Sequence, residues 1–184
     1  MAAKKDIRSL SIDELKEILE ENSFQSFRAK QIYHWLWKKS SHDFLSMHNL
    51  PKKLLTFLEN NFVIRKIEIS RQQKSKDGTI KNAINLFDDL TVECVLIPSK
   101  ERITACVSSQ VGCSLNCKFC ATARLKRMRN LNADEIYDQV VLIAKQSQDF
   151  YKRPLTNIVF MGMGEPLMNY KNVTKAIEMI TSNE

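Results

Sequence analysis

No window of the 184-residue sequence approaches the run of about 18 consecutive apolar residues that a membrane span requires. Behind the lysines of Met1-Ala2-Ala3-Lys4-Lys5-Asp6 there is no apolar stretch, so a signal peptide is not expected. A cytoplasmic protein without membrane association is the default expectation. Repeats and low-complexity linkers are absent too. Histidine is scarce, with only His34, His42 and His48, all upstream of the cysteines. What is present belongs to a globular chain: 43% hydrophobic and 27% charged residues exclude a disordered protein. The length suits one large domain or two small ones. A net charge of +7 favours a polyanionic partner, because lysine and arginine release counterions when they meet phosphates.

The first sixty residues have helical periodicity. Ser11-Ile12-Asp13-Glu14 is a capping-box pattern, followed by Leu15, Ile18 and Leu19 at helical spacing. A second helix is predicted from near Ser26 to Lys39, and a third through Leu50, Leu54, Leu55 and Leu58 after Pro51. Their exposed faces carry Arg28, Lys30, Lys38, Lys39, Lys52 and Lys53. Trp35 and Trp37 lie two apart and cannot share one helix face, so one is expected in the core and the other on a contact surface.

From about Val63 the period changes to two. Asp77-Gly78 marks a tight turn, Thr79 to Phe87 reads as the returning strand, and Thr91 to Ile97 as a third strand ended by Pro98. On that strand Glu93 points opposite to Val92 and Cys94. The remainder alternates. Ile103 to Val107 is a short strand, Asn132 caps a helix through Ile136, Val140, Ile143 and Ala144, and Asn157 to Met161 is a second apolar strand. A glycine-bearing turn and a helix with Val173, Ile177 and Ile180 follow. This order implies parallel pairing in an α/β sheet or barrel. The expected domains are therefore a helical segment (1–62), an antiparallel β meander (63–100) and two βα units of a barrel (101–184). Two parallel strands leave such a sheet unfinished, so a truncated chain is expected.

Five cysteines in a reducing compartment suggest metal or redox chemistry more than disulfides. Cys113-Ser-Leu-Asn-Cys117-Lys-Phe-Cys120 places three thiols on one short loop. Structural zinc wants four ligands, in two separated pairs, and no second pair follows. An iron–sulfur cluster tolerates three protein ligands when its last iron is left open for another molecule. Gly112 permits a sharp turn, and Phe119 can shield one side. Zinc with Cys106 as fourth ligand, or simple buried cysteines, remain open on spacing alone.

The Cys-x3-Cys-x2-Cys spacing with an aromatic before the last cysteine resembles the signature of the radical S-adenosylmethionine (SAM) superfamily. Ala105-Cys106-Val-Ser-Ser-Gln-Val-Gly-Cys113 and Met161-Gly162-Met163-Gly164-Glu165-Pro166-Leu167 resemble, within it, the RNA adenine methyltransferase family known as RlmN, whose near relative is Cfr. Phe27-Arg28-Ala29-Lys30-Gln31-Ile32-Tyr33-His34-Trp35-Leu36-Trp37 resembles that family's accessory helical domain, so the likeness covers nearly the whole chain. Pro166 after Glu165 points to the RlmN branch.

The resemblance implies a fold and a set of roles. The fold is α/β: a small N-terminal helical domain that binds RNA, a short meander, and the start of a partial (β/α) barrel. Cys113, Cys117 and Cys120 would hold a [4Fe-4S] cluster, and Gly164 and Glu165 would bind SAM. Glu93 would accept the proton that leaves carbon 2 of adenine, as methylation there requires a base. Cys106 would form a transient disulfide with a second cysteine. The substrates would be 23S rRNA and tRNA, with an electron donor such as flavodoxin, in a protein monomeric when complete. A methyl-carrying cysteine near the family's C-terminus has no counterpart here, so the chain alone is expected to be inactive. Met161 and Met163 are expected to pack. Arg124, Lys126, Arg127 and Arg129 suit phosphate contacts.

Overall fold

The computed structural model describes residues 4–182, which divide into two compact units between Arg65 and Lys66. In the first unit, β1 (Lys5–Asp6) leads into a 3-10 turn at Ile7–Ser9. The helices α1 (Ile12–Glu21), α2 (Arg28–Trp37) and α3 (Lys52–Asn61) follow, and β2 (Phe62–Val63) returns to pair in parallel with β1. The capping box forms: Ser11 Oγ accepts the Glu14 N–H at 3.2 Å, and Glu14 Oε2 accepts the Ser11 N–H at 2.6 Å. Helices of ten residues are marginal alone, so their apolar faces must carry them. Leu15, Leu19, Ile32, Leu36, Leu54 and Leu58 are buried accordingly. Asp6 ties the ends of the unit together, accepting N–H donors from Arg8 and from Arg65, each at 2.8 Å.

Both tryptophans are core residues, with Trp35 7% and Trp37 3% exposed, so neither forms the expected contact surface. Helix periodicity cannot foresee this, because the irregular segment after α2 folds over the second face. Trp35 Nε1 donates to Asn49 Oδ1 at 2.5 Å, its ring meets His48 edge-on at 4.9 Å, and Lys39 Nζ lies 3.8 Å from its centroid.

The second unit contains β3 (Glu68–Lys74), β4 (Ile80–Asn85), β5 (Thr91–Pro98), β6 (Ile103–Cys106), β7 (Gln110–Val111), β8 (Arg129–Asn130), α4 (Ala133–Tyr151), β9 (Asn157–Val159) and α5 (Tyr170–Thr181). The main sheet runs β3-β4-β5-β6-β9, antiparallel until the parallel β6–β9 pair. The meander strands and the strands expected to open the barrel thus pair in one sheet: β5 returns directly against β6. A small β7–β8 ribbon lies apart from it.

The sheet has a covered face and an open one. Ile80, Ile84, Val92, Cys94, Leu96, Ile103 and Ala105 are buried in a core that includes Ile136, Val140 and Ile143 of α4. Asn82 lies on this same covered face, where its amide pairs reciprocally with Gln146 of α4 at 2.9 and 2.8 Å. The pairing satisfies two buried amides that would otherwise cost stability. The alternate residues, among them Lys81, Glu93, Val95 and Cys106, face the open side.

Candidate active site

Strand register brings Glu93 and Cys106 to one face. Val95 opposes Cys106, and Glu93 lies two residues before Val95 on β5. The Glu93 carboxylate pairs with Lys81 Nζ at 2.9 Å. Burial pushes the Cys106 thiol above its ordinary value, opposed by a smaller effect from the Met161 backbone N–H. A thiol of this kind stays protonated at neutral pH until a base reaches it. Cys94 differs: wholly buried on the covered face, it is pushed up to about 12 chiefly by burial, and it packs as a small apolar side chain.

Beyond β6 the chain makes a long excursion that returns as β8. Gly112 opens it at φ +72°, and a Cβ there would stand 2.2 Å from the Lys126 carbonyl oxygen, so only glycine fits. The Met128 N–H donating to the Val111 carbonyl at 2.9 Å closes the loop's root. Inside it, Cys113, Cys117 and Cys120 are half-exposed. The Cys120 N–H donates to the Cys117 carbonyl at 3.0 Å, and the Leu115 N–H donates to Cys113 Sγ at 3.4 Å. Backbone N–H groups of Ala123 and Thr122 lower the Cys120 thiol. No disulfide forms among the described residues, nor do three or more Cys, His, Asp or Glu side chains gather around a metal-sized point. Phe119 is 94% exposed.

The donor chemistry nevertheless fits an iron–sulfur cluster. There are three soft thiols on one irregular loop, N–H donors turned toward two of them, and no carboxylate between Glu101 and Asp134 to recruit a harder cation. Cys106 lies on β6, outside the loop that carries these three thiols.

The glycine turn after β9 is bound to the segment between β6 and the cysteine loop. The Met163 carbonyl accepts N–H donors from Ser109 at 2.9 Å and Gln110 at 3.2 Å, and the Glu165 N–H donates to Gln110 Oε1 at 3.0 Å. Gly164, at φ +92°, would place a Cβ 2.5 Å from Gln110 Cβ. Glu165 also caps the 3-10 turn Pro166–Asn169 by accepting the Leu167 N–H at 3.1 Å. The cysteine loop touches that turn where Ser114 Oγ donates to Met168 Sδ at 3.5 Å. Met163 packs as expected, whereas Met161 is 79% exposed and does not.

The sequence reading missed the buried polar residues that make this junction. Gln139 bonds both backbone groups of Ser108, and Asn169 Nδ2 donates to the Ser109 and Leu131 carbonyls, each at 2.8 Å. A signal for Gln139 existed: it lies three residues after Ile136, on the apolar face of α4, where a polar side chain needs a partner. Arg129 is a correction. Its guanidinium reaches Asp88 at 2.6 and 3.0 Å and Glu135 at 2.7 and 2.8 Å, so it is committed to the fold and not to phosphate. Arg124, Lys126 and Arg127 remain exposed.

A thiol-bearing loop after the first parallel strand, bonded to a glycine turn after the second, is the arrangement of the radical SAM class. Residues 107–183 match the radical SAM superfamily, and residues 5–64 match the ribosomal RNA large subunit methyltransferase N-terminal domain. A probable dual-specificity RNA methyltransferase RlmN of Christiangramia forsetii is 61% identical over 98% of this chain and 51% of its own length. The dual-specificity RNA methyltransferase RlmN of Campylobacter lari is 44% identical over 94% of this chain and 52% of its own. The crystal structure of a radical SAM methyltransferase from Sphaerobacter thermophilus superposes with a TM-score of 0.82 at 36% identity, covering 97% of this chain and 52% of that one. Over nearly its whole length the chain is similar to proteins named RlmN and to the radical SAM superfamily, and it spans about half the length of the curated relatives it matches. The match to the superfamily implies a [4Fe-4S] cluster and SAM as cofactors.

Proposed function

We propose that this chain carries the first half of the machinery of a SAM-dependent RNA methyltransferase, one that methylates carbon 2 of an adenine in 23S rRNA and in tRNA. Cys113, Cys117 and Cys120 hold the [4Fe-4S] cluster. A cluster held there would supply one-electron reduction of SAM, with the electron drawn from a donor such as flavodoxin. The other contributions come from the chain itself. The turn at Gly164 and Glu165 offers backbone and carboxylate groups to the amino group of SAM. Glu93 takes the proton that leaves carbon 2, and Lys81 keeps a positive charge beside it. Cys106, protonated at rest, gives up its proton and attacks the sulfur of a second cysteine that carries the RNA adduct. The S–S bond forms as that sulfur's bond to carbon breaks, and the electron pair passes to the carbon, which takes a proton and becomes the methyl group. Arg124, Lys126 and Arg127 take phosphates, and the helical unit, with Lys30, Lys39, Lys52 and Lys53 exposed, grips a folded RNA element from which the target base is turned out. The enzyme works in the cytoplasm as a monomer.

The observation that carries this reading is the bonding of the cysteine loop's root to the glycine turn through Gln110 and Met163. It is supported by relatives whose names describe dual-specificity RNA methyltransferases. The test joins this chain to the remaining half of the Christiangramia forsetii relative, loads it with iron and sulfide without oxygen, and offers 23S rRNA and tRNA. Mass spectrometry of the digested RNA is expected to show an adenosine methylated at carbon 2, and Glu93→Gln is expected to abolish it. Methylation at another atom, or full activity in Glu93→Gln, would overturn the assignment.

A further inference from the structure

We propose that Ser108 is the positioning residue that sets the separation between Glu93 and the glycine turn 162–165, an inference resting on the roles proposed above for those two elements. Ser108 is fully buried. Its hydroxyl donates to the Glu93 backbone carbonyl at 2.5 Å and accepts the Met163 N–H at 2.8 Å. A serine hydroxyl has one proton to give, so these two bonds fix its orientation and commit it to both elements at once. Its own backbone is held in turn by α4: the Ser108 N–H donates to Gln139 Oε1 at 2.8 Å, and Gln139 Nε2 donates to the Ser108 carbonyl at 3.2 Å. One side chain therefore joins the strand bearing the proton acceptor to the turn assigned to SAM. One glutamine fixes the backbone of that residue against α4.

The close fit of Gly162 shows how little slack the junction has. A Cβ at that position would stand 2.7 Å from Ser108 Oγ and 2.8 Å from the Val107 carbonyl group. The turn can approach the serine only because residue 162 has no side chain. Ser108 carries no charge and lies beneath the open face, so it transfers nothing in the reaction. It acts by holding Glu93 and the turn at a constant spacing, and displacements near 1 Å can cost about a hundredfold in rate.

The test uses two variants that disturb the junction from opposite sides. Ser108→Ala removes the hydroxyl, and Gly162→Ala keeps it while forcing the turn away. In the chain itself, without cofactors, hydrogen exchange at the Met163 amide is expected to quicken at least tenfold in both. In the joined protein, iron content is expected to persist. The number of RNA methylations per 5′-deoxyadenosine released is expected to fall severalfold, a coupling that general loss of stability would not alter. The proposal is overturned if the Met163 amide stays protected in Ser108→Ala. It is equally overturned if coupling is unchanged in a folded variant whose Met163 amide exchanges fast. Should Ser108→Ala fail to fold, Gly162→Ala decides by the same two readings. Normal methylation in Glu93→Gln would instead sink the assignment of the proton acceptor, an outcome separate from the exchange result.

Discussion

Arg129 shows how a single residue's role depends on what folding places beside it. In sequence it ends a run of cations after the third cysteine of the loop, and nothing local separates it from Arg124, Lys126 and Arg127. In the fold its guanidinium lies between Asp88, on the turn between β4 and β5, and Glu135, the third residue of α4 and a member of the Asn132 capping box. The Arg129 side chain is 23% exposed and that of Glu135 is 3% exposed, so removing the cation strands a buried carboxylate. Arg129→Ala is expected to destabilise the protein by about 2–4 kcal/mol in denaturant titration, against about 0.5 kcal/mol or less for Arg124→Ala. The pH dependence has a definite sign. Hydrogen bonds from Arg129 hold the Asp88 carboxyl below its ordinary value, so its contribution is present above the ordinary carboxylate range and is lost as pH falls through the depressed value. The acid limb of stability is expected to flatten in Arg129→Ala, and an unchanged limb would contradict the pairing. Gly112 is the residue for which sequence reasoning and structure agree most closely. Gly112→Ala meets both a positive φ and the Lys126 carbonyl, so it is expected to lower the melting temperature and to halt iron loading even though all three thiols remain.

At the scale of elements, helix α4 organises the second unit, and its polar residues specify as much as its apolar ones. Ile136, Val140 and Ile143 were legible as a core face from spacing alone. Gln139 and Gln146 on the same side could be read only as polar residues in need of partners, because which groups they meet is settled by the fold. Gln146→Leu leaves the Asn82 amide without its main partner in the core and is expected to cost about 1–3 kcal/mol. Adding Asn82→Leu is expected to recover part of that loss, and strict additivity in the double-mutant cycle would argue against a shared pair. Strand existence was likewise readable from the period of two, and the hairpin between β3 and β4 from Asp77-Gly78. Strand order was not. The antiparallel return of β5 onto β6 places the meander and the first barrel strands in one sheet, and periodicity says nothing about which neighbour a strand takes. That pairing is what sets Glu93 on the same face as Cys106.

At the scale of the whole molecule, charge is segregated along the chain in a way that suits RNA. No acidic residue occurs between Glu101 and Asp134, and Arg124, Lys126 and Arg127 stand exposed within that span. Binding to an RNA fragment containing the target adenine is expected to weaken linearly with the logarithm of salt concentration. Replacing those three cations with glutamine is expected to reduce the slope by about 2. An unchanged slope would show that the phosphates lie elsewhere. The cysteine motif was fully visible in the sequence, because three thiols at fixed spacing on one loop need no tertiary partner to be recognised. The hidden part was what positions the loop: Gln110, Ser108, Gln139 and Asn169, each an ordinary polar residue until its partners are in place.

If three thiolates of one loop hold an iron–sulfur cluster, the metal content must follow those three residues. Iron and acid-labile sulfide should be measured per chain after oxygen-free reconstitution, for the natural sequence and for alanine at each cysteine in turn. About four irons per chain are expected for the natural sequence, Cys94→Ala and Cys106→Ala, with loss in Cys113→Ala, Cys117→Ala and Cys120→Ala. Stoichiometric zinc without iron, or iron that survives Cys117→Ala and falls in Cys106→Ala, would contradict the account.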